Sequence, residues 1–70
     1  MAALLTFAGS PAPHLCGVRD LSRDGVGLRL DGLILIPTLF VLSFGARQRS
    51  AVELIWREGD FAGVAFRPGA

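Results

Sequence analysis

Val26-Gly27-Leu28-Arg29-Leu30-Asp31 decides the fold. Val26, Leu28 and Leu30 alternate with Gly27, Arg29 and Asp31. Successive side chains of a strand point to opposite faces, so this pattern predicts a strand with one buried and one wet face. Toward the C-terminus, Leu39–Phe44 is a continuous apolar run, short enough for a strand buried on both faces. Val52, Leu54 and Trp56 form a second alternating set against Glu53 and Arg57, which places Trp56 in the core. Glu58-Gly59-Asp60 marks a tight reversal into Phe61–Phe66, where Ala62, Val64 and Phe66 share a face. Toward the N-terminus, Ala3–Ala8 and His14–Val18 read as strands. Pro11 and Pro13 between them exclude helix.

Turn residues separate these runs. Asp20-Leu21-Ser22-Arg23-Asp24-Gly25 reads as a loop, Gly32 ends the central strand, and Gly45–Gln48 reads as a turn. Five or six short strands with short connections predict an all-β fold, a barrel or a sandwich, and closure as a barrel would remove exposed edges. The 70 residues make one domain, 1–70, with no linker and no internal repeat. A chain this short buries only about 60% of the surface it exposes when unfolded.

Composition narrows the function classes. The net charge is +1, and the seven basic residues, all arginine, are spread along the chain. No nucleic-acid footprint is expected from that. Leu33–Phe44 is the greasiest stretch, but Pro37 interrupts it and a membrane-spanning helix needs about 20 apolar residues. No membrane insertion is expected. No basic side chain precedes the apolar run Ala2–Ala8, so a secretory signal is not expected either. Cys16 is the lone cysteine, which forbids an internal disulfide and fits a reducing, cytoplasmic setting.

Catalytic and metal sites are hard to assemble from these residues. His14 and Cys16 point the same way on a strand, but three or four metal ligands are required and no other His or Cys exists. A Cys–His nucleophile needs an orienting group and an oxyanion site. Ser22 is not in a G-x-S-x-G elbow. Asp20 with Asp24, and Glu58 with Asp60, read as solvated turn carboxylates. Gly25 and Gly27 have neither phosphate-loop spacing. The expectation is a non-enzyme without cofactor or metal.

Asp20-Leu21-Ser22-Arg23-Asp24-Gly25 resembles the [D/N]-x-S-x-x-G motif of PilZ domains. Val18–Ser22 followed by Gly25–Leu28 is similar to the family's strand–loop–strand around that motif. Ile36-Pro37 with Phe40-Val41-Leu42 resembles its connection into the middle strand. Val52–Asp60 with Gly63–Phe66 resembles its closing hairpin. The likeness runs over 14–67. It implies an all-β fold, a small six-stranded antiparallel PilZ-like barrel that binds cyclic di-GMP at its rim and acts as a bacterial second-messenger signalling module. Asp20, Ser22 and Gly25 are the matching ligand-binding positions. A carboxylate accepts from the N–H groups of guanine, a hydroxyl donates to phosphate or base, and glycine permits close backbone approach.

The same likeness implies an R-x-x-x-R segment before the barrel, whereas the first arginine here is Arg19. Each lost charge-assisted hydrogen bond is worth about 1.5–3 kcal/mol, so losing two implies roughly a hundredfold to ten-thousandfold weaker binding. Three expectations follow: an arginine segment encoded upstream, a degenerate domain that binds an unidentified protein partner and no nucleotide, or partial substitution by Arg19 or Arg23. The family's trailing helix is also missing.

Overall fold

A computed structural model describes residues 1–10, 12–31, 34–44 and 48–67. Six strands run in chain order: β1 Ala2–Thr6, β2 His14–Leu21, β3 Gly25–Leu30, β4 Leu39–Phe44, β5 Gln48–Glu58 and β6 Phe61–Phe66. They close into an antiparallel barrel in the order β1-β2-β3-β6-β5-β4, with β4 pairing back onto β1. The fold found is all-β, as the residue pattern predicts, and of its two forms it is the barrel, with the six antiparallel strands that the resemblance implied. The turn expected at Gly45–Gln48 and the break at Gly32 lie outside the described residues, apart from Gln48, which opens β5.

Alternation fills the interior. Ala3 and Leu5 of β1, Cys16 of β2, Val26, Leu28 and Leu30 of β3, Phe40 and Leu42 of β4, Val52 of β5, and Ala62 and Val64 of β6 form one core. Leu5, Leu28, Leu30, Leu42 and Val52 are the largest fully enclosed side chains. Burying each contributes roughly 1.5–3 kcal/mol. The connection from β3 to β4 crosses one end of the barrel, where Ile34 and Ile36 pack on the core. Arg57 holds it there, donating from Nη1 to the Ile34 carbonyl at 2.7 Å and from Nε to that of Gly59 at 3.0 Å.

Three expectations about faces and bounds are corrected. Leu39–Phe44 is buried on one face only: Phe40 and Leu42 are enclosed, whereas Leu39 is 55% exposed. A single closed sheet has one interior and no second layer to cover its outside. Asp20 and Leu21 belong to β2, which leaves Ser22–Asp24 as the loop. Trp56 is 48% exposed. In β5 the pairing passes from Leu54↔Val64 to Trp56↔Gly63, so Ile55 is an extra residue. A bulge of this kind reverses the alternation after it. Trp56 therefore turns outward with Gly63, and Arg57 turns inward with Ala62.

β2 carries the same irregularity. Its pairing passes from Val18↔Leu28 to Asp20↔Gly27, which leaves Arg19 extra. One fixed shift in residue number carries the whole β2–β3 ladder onto β5–β6. Cys16↔Leu30 becomes Val52↔Phe66, Val18↔Leu28 becomes Leu54↔Val64, and Asp20↔Gly27 becomes Trp56↔Gly63. The shift also exchanges two hydrogen bonds, Leu30 N to Asp60 O at 2.7 Å and Phe66 N to Asp24 O at 2.9 Å. The β3–β6 ladder maps onto itself about Gly27↔Gly63. The barrel thus has an internal pseudo-two-fold axis through that glycine pair, a structural repeat that the residue pattern did not announce.

Candidate functional site

The pseudo-two-fold axis leaves the barrel through a trough on its outer wall. Asp20, Gly27, Gly63 and Trp56 form one row across β2, β3, β6 and β5. The two glycines present bare backbone as the floor. A methyl group on Gly27 would come within 2.7 Å of Asp20 Oδ2, and one on Gly63 would overlap the Trp56 indole. The carboxylate and the indole therefore lie over the floor from opposite sides. The trough, of about 340 Å³, is also lined by Arg19, Ser22, Asp24, Gly25 and Ile55.

All three motif residues border this trough, with different duties. Asp20 is exposed, and its carboxylate has no hydrogen bond or ion pair among the described residues. Ser22 closes the β2–β3 turn. Its N–H donates to the Gly25 carbonyl at 2.9 Å, and its Oγ lies 3.3 Å from both the carbonyl it donates to and the N–H it accepts from. Gly25 pairs with Ala65, and a methyl there would strike the Val64 carbonyl oxygen. Its lack of a side chain lets β3 approach β6. The turn lies at one end of the barrel, whereas Asp20 faces the outer wall opposite Gly27, because the Arg19 bulge turns it there.

Two further residues stand at the trough: Trp56, which the sequence placed in the core, and Arg19, which it offered only as a partial substitute for absent arginines. Trp56 brings an indole face and an Nε1–H donor that has no partner among the described residues. Arg19 brings a guanidinium, seated 4.3 Å above the Phe61 ring centroid. Arg23, by contrast, points into solvent beside Asp24, 3.7 Å away. A signal for the paired geometry is present in the chain: Asp24-Gly25-Val26-Gly27 and Asp60-Phe61-Ala62-Gly63 both read D-x-x-G.

The other candidates lead elsewhere. Cys16 is enclosed and donates to the Ala3 carbonyl at 3.5 Å; burial pushes its thiol pKa up, against the thiolate a nucleophile needs. His14 stacks on Phe7, with ring centroids 5.5 Å apart, and its Nε2 lies 2.9 Å from Ser10 Oγ. His14 itself lines a hollow of about 460 Å³, together with Leu5, Phe7, Leu30 and Asp31 among others, whereas Ser10 is not in that lining. Among the described residues no three His, Cys, Asp or Glu side chains gather as metal ligands, and no helix is long and apolar enough to cross a membrane.

Fold and trough together define a small closed antiparallel barrel with a polar, aromatic-sided recess on its exterior. No known family, curated protein or solved structure matches the chain.

Proposed function

We propose that this chain is a PilZ-like signalling module that binds cyclic di-GMP in the outer-wall trough and performs no chemistry on it. One observation carries the reading: an exposed carboxylate with no partner among the described residues, Asp20, lies over Gly27 beside the Trp56 indole over Gly63, so that both open onto one trough. A guanine base matches that surface. Its N–H groups meet an acceptor, its O6 accepts from a donor such as Trp56 Nε1–H, and its flat face covers indole. The volume suits one base with part of its sugar-phosphate better than an extended polymer. A lone buried thiol is in keeping with a cytoplasmic setting.

Calorimetric titration with cyclic di-GMP tests the proposal. Heat of binding is expected, together with a change in the fluorescence of the single tryptophan, Trp56. Asp20→Ala should weaken binding about 10- to 100-fold, the worth of one charge-assisted hydrogen bond. No heat from a demonstrably folded protein at high-micromolar ligand would remove the binding reading. Unchanged affinity in the variant would remove the site.

A second reading, a ligand-free protein-interaction module on the same barrel, is favoured by Ser22 and Gly25. Both are engaged in holding the turn and the β3–β6 ladder. That reading expects a folded protein, silent to nucleotide, whose exposed Ile55 and Trp56 are protected in complex with another protein.

A further inference from the structure

Arg19 is the residue that the β2 bulge leaves out of the ladder. An unpaired bulge residue is re-aimed relative to its strand. Here the guanidinium lies on Phe61, 4.3 Å from the ring centroid. Cation–π seating of this kind fixes the group's position and leaves its N–H donors free at the edge. Arg29 stands directly across the β3–β6 ladder from the same phenylalanine, on the same outer face. Neither arginine has an ion-pair partner among the described residues. Glu58 lies across β5–β6 from Phe61, Asp20 follows Arg19 directly, and Asp20 and Asp24 line the adjoining trough. Asp24 is already beside Arg23.

The geometry thus brings two arginines, ten positions apart in the chain, to one aromatic residue: Arg19, which also lines the trough, lies on the Phe61 ring, and Arg29 pairs with Phe61 across β3–β6. We infer that Arg19 and Arg29 form an anion subsite that takes a phosphate of the nucleotide whose base lies against Asp20 and Trp56. Guanidinium forks recognise phosphate oxygens in pairs, and a fixed fork loses less freedom on binding than a free one. The subsite rests on the proposed nucleotide reading, and it supplies from within the barrel the charge that an upstream arginine segment would otherwise bring.

Parallel titrations with cyclic di-GMP and with guanosine, which has no phosphate, test it, using Trp56 fluorescence. Arg19→Ala should weaken cyclic di-GMP about 10- to 100-fold and leave guanosine unchanged. Arg29→Ala should act in the same direction, and Arg19→Lys should recover part of the loss. Phe61→Leu, which keeps both arginines but removes the ring, should fall between wild type and Arg19→Ala. Thermal melts of each variant establish that it is folded. If wild type binds cyclic di-GMP and the double alanine variant binds it equally well, the subsite is overturned and the nucleotide reading stands. Equal losses for guanosine and cyclic di-GMP would make the arginines structural and also overturn it. Silence of the wild type toward cyclic di-GMP removes the nucleotide reading and the subsite together.

Discussion

A methyl group added at Gly25 would meet the carbonyl oxygen of Val64, part of a backbone held in the ladder. One added at Gly63 would meet the Trp56 indole, a half-exposed side chain with room to swing away. The two substitutions should therefore behave differently. Gly25→Ala is expected to destabilise the barrel by about 1–3 kcal/mol, because backbone must shift. Gly63→Ala should cost less than about 1 kcal/mol while moving Trp56 off the floor, seen as a changed emission maximum and lost ligand response. Urea denaturation of both proteins, followed by circular dichroism, checks the order. At this scale the residues of the motif were legible, since Asp, Ser and Gly announce themselves in a turn. Their division of labour was not. Ser22 closes on Gly25 within its own turn, but which carbonyl blocks a Cβ at Gly25 depends on β6, a strand distant in sequence.

The two bulges govern the elements. Were Ile55 taken into the ladder, β5 would keep strict alternation and carry Trp56 inward and Arg57 outward. Deleting Ile55 instead removes only the extra residue, so Leu54 still faces Val64 and Trp56 still faces Gly63 with its indole outward. The variant is expected to keep the wild-type tryptophan emission maximum and the Arg57 bond to the Ile34 carbonyl, with a stability by urea denaturation within about 1 kcal/mol of wild type; a blue-shifted spectrum would show that the indole had been drawn inside. The same feature explains why the sequence placed Trp56 in the core. Val52, Leu54 and Trp56 are spaced for one face, and a period-2 reading has no means of counting an unpaired residue. In β3 and β6, where the ladders carry no bulge on that strand, Val26, Leu28, Ala62 and Val64 all lie inside as expected.

Across the whole molecule, the barrel is two three-stranded halves joined by one connection from β3 to β4 and paired along β3–β6 and β1–β4. Each half alone would leave two open edges and an uncovered apolar face, too little for a stable fold. Together they bury one core. Segments 1–36 and 37–70, expressed together, are expected to assemble into a barrel with the far-ultraviolet spectrum of the intact protein, whereas each alone should be unfolded or aggregated. Size-exclusion chromatography with circular dichroism checks this; failure of the mixed segments to associate would mean that the connection, with Ile34 and Ile36 over the core, is needed to close the barrel. The chain's own pattern determined that it would be a small all-β fold of short strands, because alternating apolar residues and turn formers act locally and can be read in order. Only the tertiary structure decided which residues meet on the outer wall. That outcome depends on two single-residue bulges and on a glycine pair brought together across an axis, and contacts between distant strands leave no periodic mark in a sequence.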